Sequence, residues 1–289
     1  MKLLSRFVSP LLTALAVAAT AAAADFRENL GIQLYSLRGQ MAQPGLAGAL
    51  DLVKSYGVKE VETYGIQNVT AEQLATELKA RGLVAVSSHV GANLFRQDIA
   101  KVIADAKTLG VKYVVIPTPP LANNEEFTEE FARKTAATFN EWGAALKKEG
   151  LQLGYHPHGK EFRPTAAGNG ETTFDILVKE TKADLVTFEL DVFWAYLPGQ
   201  DPVKLLEKYP TRFSMIHIKD MAKDYKIGVH TGGAPPTAKV AVGTGQIDYP
   251  AVLRAAQKIG IKHYFLEDET PTPLQTIPDS FKYLRDLKL

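Results

Sequence analysis

Apolar side chains along this chain keep two rhythms, and the switch between them repeats. At Leu46/Leu50/Val53, Leu74/Leu78, Ile99/Val102/Ile103/Ala106, Phe131/Phe139/Trp142/Leu146 and Val252/Ala255/Ala256/Ile259 they recur at the spacing of one helix face. Each of these segments ends at a glycine (57, 82, 110, 150 and 260), and a short apolar run follows it. A glycine there suits the left-handed position at which a helix stops. Thr70 and Gln73 have the spacing of a capping box, and Asp201-Pro202 supply an N-cap and first helical residue ahead of Val203, Leu205, Leu206 and Tyr209.

The apolar runs predict eight strands near 31–36, 58–63, 83–88, 111–116, 151–156, 185–190, 213–218 and 262–267. Strands that are apolar on both faces and alternate with helices imply a parallel sheet covered by helices. Eight such units predict an α/β fold, a (β/α)8 TIM barrel forming a single domain over 25–289. An open doubly wound sheet would want a Gly-rich turn after its first strand, and LYSLRGQM is not one.

Composition changes the picture in three ways. A formal charge of +1 with no long basic run gives no footprint for nucleic acid. The absence of cysteine excludes disulfides and thiolate metal sites. The first 24 residues depart from the rest: Lys2 and Arg6, an apolar stretch from Val8, then Ala22-Ala23-Ala24. That is the pattern of a signal peptide cleaved after Ala24, placing the protein in the periplasm or outside the cell. Ser9, Pro10, Thr13 and Thr20 leave the stretch short of the ~20 apolar residues of a membrane span, so no stable anchor is expected after cleavage.

Candidate chemistry gathers at the predicted strand ends. The longest loops, 156–171 and 220–248, both follow strands, which marks that rim as the working face. The second is rich in Gly and Pro, and reads equally as a flexible cover or as surface decoration. Along the second half the rim carries His156, His158, Glu161, Glu189, Asp191, His217, Lys219, Glu267 and Glu269. Carboxylates mixed with imidazole suit Mn2+, Mg2+, Co2+ or Zn2+.

The phrases YHPHGKEF, ELDVFWAYLPGQDP, RFSMIHIKD and FLEDE, with GIQLYSLR and SSHVG, resemble the xylose-isomerase-like barrels of the sugar phosphate isomerase/epimerase family. The resemblance implies a divalent metal held by Glu, Asp, His and Glu from strands five to eight, here Glu161, Asp191, His217 and Glu267. At strand five the chain departs from the family, with Tyr155 and His156 where relatives place a Glu inside the strand. His156 and His158 therefore stand as alternatives to Glu161.

The chemistry implied is proton transfer beside a carbonyl, the metal stabilising the enediolate and Glu161 and Glu267 acting as the acid/base pair. Gln33, Tyr35, Arg38, His89, His158 and Lys219 are candidates for holding sugar hydroxyls, and Trp194 with Tyr196 for stacking on a sugar face. The expected activity is isomerisation or epimerisation of a small unphosphorylated keto-sugar or keto-glycoside. A 3-keto-glycoside lyase or hydrolase on the same site is the alternative, and a non-catalytic carbohydrate-binding barrel the alternative of another class.

Overall fold

The described residues form ten strands: β1 (Leu30–Gln33), β2 (Glu60–Tyr64), β3 (Val84–His89), β4 (Tyr113–Ile116), β5 (Gln152–Tyr155), β6 (Val186–Asp191), β7 (Phe213–Ile218), β8 (Asp220–Met221), β9 (Lys239–Val240) and β10 (His263–Leu266). β1 to β7 and β10 are parallel and close a barrel in the order β1-β10-β7-β6-β5-β4-β3-β2, while β8 and β9 form a small antiparallel ribbon outside it. The computed structural model describes residues 25–43, 45–65, 69–119, 126–230 and 232–289; the expected leader lies outside them. The predicted (β/α)8 architecture is the observed one, and no helix among the described residues is long and apolar enough to cross a membrane.

Local signals account for the elements. All five helix-ending glycines have positive φ, from 69° to 79°, and the Thr70/Gln73 capping box forms. The first strand is shorter than predicted. The Gln33 side chain accepts a hydrogen bond from Tyr35 N, and Leu34–Leu37 turns into a 3-10 helix.

Successive residues of a barrel strand face in and out, and this alternation builds the site. Tyr155, Phe188, Leu190, Ile216 and Ile218 face outward beneath the helices. Val86, Tyr113, Val115, Met215 and Phe265 form a separate apolar cluster that plugs the interior. Gly154 belongs to that layer, since a Cβ there would lie 2.9 Å from Val115 Cγ2. Above the plug, toward the C-terminal strand ends, the inward positions turn polar: Glu62, Glu189, Asp191 and His217, all fully buried.

The long loop after β7 is tied down at both ends. The Asp220 carboxylate accepts from the backbone N–H of Met221 (2.8 Å), Gly243 (2.9 Å), Gly245 (3.0 Å) and Ile247 (3.3 Å). A side chain at Gly245 would collide with Asp220 Oδ1 and Met221 O. Farther out, Gly228 N and Val229 N donate to Leu197 O at 2.7 and 3.2 Å.

Candidate functional site

Strand five decides the site. β5 ends at Tyr155, but His156 N still donates to Ile116 O (3.0 Å), so His156 continues the alternation and points inward. Tyr155 points outward, against Phe139 and Phe188, and its hydroxyl donates to Glu161 Oε1. Glu161 Oε2 accepts from His158 N (3.1 Å), and the turn Lys160–Phe162 buries the residue under the helix Thr173–Glu180, where Thr173 Oγ1 donates to Glu161 O (2.6 Å). The expected metal and acid/base role of Glu161 is therefore corrected. Its carboxylate is spent in the helical layer, where burial pushes its pKa up, and His156 occupies the inward position.

Asp191, His217 and Glu267 gather at the ends of β6, β7 and β10, and His156 reaches Asp191 from the end of β5. Asp191 closes β6 and caps the short helix Val192–Tyr196, Oδ1 accepting from Trp194 N at 2.9 Å. That bond aims Oδ2 at His156 Nε2 (3.7 Å) and His217 Nδ1 (3.8 Å), and Oδ2 accepts no hydrogen bond among the described residues. Glu267 Oε2 lies 3.1 Å from His217 Nδ1. Donor atoms that share an ion at ~2.0–2.2 Å each stand roughly 3–4 Å apart. Asp191, His217 and Glu267 offer ligand atoms all within 4.8 Å of one another, and His156 Nε2 approaches that set on the Asp191 side. Lys219 Nζ approaches the same oxygens, 3.3 Å from Asp191 Oδ2 and 2.6 Å from Glu267 Oε2, and 2.8 Å from Glu269 Oε2.

The electrostatics follow from burial and neighbours. Burial, helped by the charge of Glu267, raises the Asp191 pKa against the opposing pull of Lys219 and His217. Burial also opposes ionisation of Glu267, but Lys219 and His217 reverse it and hold its pKa well below the usual range. For Lys219 burial is outweighed by Asp191 and Glu267, which keep it protonated. His158 is held neutral, its pKa lowered to about 4 by burial and by Lys219.

A second polar layer lies beneath. Glu189 Oε2 meets His156 Nδ1 (2.8 Å), His89 Nε2 (2.9 Å) and His217 Nε2 (3.2 Å). Glu62 Oε1 meets His217 Nε2 (2.6 Å), His89 Nε2 (2.9 Å) and Gln33 Nε2 (2.6 Å), while Ser87 Oγ donates to Glu62 Oε2. Burial alone would neutralise Glu189, but Glu62 and the imidazoles also act on it, and the balance lowers its pKa to about 2. Sequence reasoning assigned nothing to Glu62. The available signal was its place on β2, two residues beyond Glu60 in the same inward register, with apolar Val61 between them.

Above this floor opens a cleft of about 430 Å³ lined by Tyr35, Tyr64, His89, His156, His158, Lys219, Glu267 and Glu269, among others. A roomier cavity of 500 Å³ between the helices Ala71–Ala80 and Ala92–Leu109 has none of the imidazole ligands on its wall. Of the expected hydroxyl-holding residues, Tyr35, His89, His158 and Lys219 line the cleft. Gln33 does not, being fully buried and bonded to Glu62. Arg38 lies over the Tyr35 ring (4.5 Å) and lines the adjoining cavity with Leu34 and Met41. Trp194 is 5% exposed, with Lys219 and Lys239 each 5.4 Å over its ring, so it is packed rather than offered as a stacking platform.

The sequence profile of the xylose isomerase-like TIM barrel matches residues 50–287. The chain belongs to that family. Among solved structures it is similar to a sugar phosphate isomerase/epimerase from Parabacteroides distasonis, 25% identical with a TM-score of 0.74 over 90% of this chain and 98% of that one. The IOLI protein, crystallised with a binding zinc atom, shares the fold at 18% identity, with a TM-score of 0.65 over 89% of this chain and 95% of that one. Among curated relatives it is 30% identical over 179 residues to the inosose dehydratase of Clostridium tetani, covering 56% of this chain and 54% of that protein. The inosose dehydratase of Lacticaseibacillus casei is 25% identical over 164 residues, 54% of this chain and 52% of that protein. The chain thus spans about half the length of the curated relatives it matches.

Proposed function

We propose that this chain is a divalent-metal-dependent enzyme that takes a proton from the carbon beside the ketone of a small, uncharged cyclic sugar or cyclitol and expels the hydroxyl, or the glycosyl oxygen, on the next carbon. One observation carries the reading: His156, Asp191, His217 and Glu267 converge at the floor of a cleft, while Glu161 is withdrawn from it. An ion bound there supplies Lewis-acid polarisation of the ketone oxygen and a neighbouring hydroxyl. Glu269 lines the cleft without belonging to the metal-facing set, and we assign it the proton from carbon. Lys219, an ammonium at the cleft wall, is the donor to the departing oxygen. In this step the C–H and C–O bonds break, a C=C bond forms, and water or an alcohol leaves.

Elimination needs one base and one acid on the reacting atoms. Epimerisation calls for a second base on the opposite face, the role for which Glu161 was expected. Two relatives named inosose dehydratase agree with elimination. The second reading, isomerisation or epimerisation, draws on the name of the structural relative that matches 98% of its length. The phosphate in that name suits this cleft poorly, since Lys219, the one lysine or arginine on its wall among the described residues, already faces three carboxylates. The same proposal places the mature chain, from Asp25, outside the cytoplasm, on the strength of the charged and apolar first 24 residues.

NMR in D2O with inososes, keto-sugars and 3-keto-glycosides tests the reading. Loss of the β-substituent is expected. Deuterium entry with the carbon skeleton and its oxygens intact would move the assignment to isomerase or epimerase. Glu269→Gln is expected to retain metal and lose exchange of the α-proton.

A further inference from the structure

The proposed reaction leaves one fully buried group unused. Glu189 lies below the cleft among three imidazoles and is absent from its wall. A neutral imidazole carries one N–H and one lone pair, and the nitrogen that faces a carboxylate holds the hydrogen. His156 turns Nδ1 to Glu189, and His217 turns Nε2 to Glu189 and Glu62. His156 is therefore the Nδ1–H tautomer. His217 meets carboxylates with both nitrogens, Nε2 with Glu62 Oε1 at 2.6 Å and Nδ1 with Glu267 Oε2 at 3.1 Å, and an ion held at Asp191 and Glu267 would leave its hydrogen on Nε2. The atoms then free for the ion, His156 Nε2 and His217 Nδ1, stand 3.7 and 3.8 Å from Asp191 Oδ2.

We infer that Glu189 is the positioning residue of the cation site: a single carboxylate that holds opposite nitrogens of two imidazoles, so that with the ion bound both lone pairs face Asp191. Glu62 is the lesser partner, reaching His217 but not His156, and it is itself held by Gln33 and Ser87. His89 stacks on His217 (5.4 Å between ring centroids) and donates into the same two carboxylates. The competing use of the inner layer is as a second cation site, since His89, His156, Glu189 and His217 offer atoms within 4.8 Å of one another. The N···O separations of 2.6–2.9 Å there are those of N–H···O bonds, with the hydrogens in place.

The inference rests on the cation site of the proposed function, and the experiment separates the two. Full-length protein is titrated with Co2+ against a competing chelator, and stoichiometry and the visible spectrum are recorded for wild type, Glu189→Gln and Glu62→Gln. We expect one ion per chain, an affinity about 10–100-fold weaker with an altered spectrum in Glu189→Gln, and a smaller loss in Glu62→Gln. Independently of whether the variants fold, 15N-histidine NMR of the zinc-loaded wild type should show His156 protonated at Nδ1 and His217 at Nε2. A wild type that binds no ion overturns the cation site itself. Tight binding unchanged in Glu189→Gln, two ions per chain, or the same tautomer in both histidines overturns the role of Glu189 alone.

Discussion

Glu189 and Asp191 leave the same strand two residues apart, both fully buried and both facing imidazoles, yet they end in opposite conditions. Glu189 Oε2 sits within 3.2 Å of three ring nitrogens. Asp191 Oδ2 accepts no hydrogen bond among the described residues; two ring nitrogens stand off at 3.7 and 3.8 Å, and Lys219 Nζ lies 3.3 Å away. The difference is one of hydrogens. His156 spends its one N–H on the inner layer, while His217 turns Nε2 inward and Nδ1 to Glu267. Asp191 Oδ2 is left facing the lone pair of His156, with Lys219 Nζ 3.3 Å away, an arrangement that a bound cation stabilises. A polar cluster in a barrel mouth thus divides into an inner layer tied by short carboxylate–imidazole contacts and an outer layer whose contacts are longer, although Glu189 Oε1 and Asp191 Oδ2 both accept no hydrogen bond among the described residues.

The largest effects should come from the outer layer. His217→Ala and Asp191→Ala are expected to lose the metal and to lower turnover by about 100-fold or more, with circular dichroism unchanged. A variant that kept both metal and activity would dissolve the distinction between the layers.

Strand five gives a sharper test, because Glu161, His156 and His158 were all open there. His156→Ala should lose metal affinity. Glu161→Gln should keep metal and proton exchange, and cost about 1–3 kcal/mol of stability through the bonds from Tyr155 and His158 N. Metal analysis and thermal melts on the pair decide it, and the reverse result would return Glu161 to the site.

Asp220 extends the comparison to a buried acid satisfied by backbone alone. Asp220→Ala removes the acceptor of four backbone N–H groups and should cost about 2–3 kcal/mol, with faster proteolysis within 222–247. A melt within a degree or so of wild type would mean that the loop holds itself.

The smallest effect concerns pH. Burial opposes the charge on Asp175, but Lys208, Tyr209 and Thr172 N bond its carboxylate and lower its pKa overall. A native pKa below the unfolded one adds stability above about pH 4, and that stability is lost as the pH falls through the native value. Urea midpoints should therefore fall less steeply between about pH 5 and pH 2 in Asp175→Asn than in wild type. Parallel curves would show that Asp175 contributes no such linkage.

Much of this was legible before any coordinates. Helical spacing, stop glycines and two-faced apolar strands specify eight βα units, because these signals act within a few residues of where they are read. The inward sense of His217 and Asp191 follows from alternation along strands whose other face is Leu190, Ile216 and Ile218. The same alternation, applied to Leu153, Gly154, Tyr155 and His156, places His156 inward and Tyr155 outward, and it weighs more than the family's preference for a glutamate. What local rules could not supply is pairing at a distance. Glu62 meets His217 across 155 residues of chain, and Gln33 was drawn from a sugar-holding role to Glu62 because the parallel pairing of β1 with β2 puts the two residues in register. Tyr155 captured Glu161 six residues on, because the turn after β5 folds back under a helix. Residue types and their strand faces are properties of the chain. Which nitrogen meets which oxygen, and so where a cation is wanted, is set only when the barrel closes and each buried hydrogen must find an acceptor.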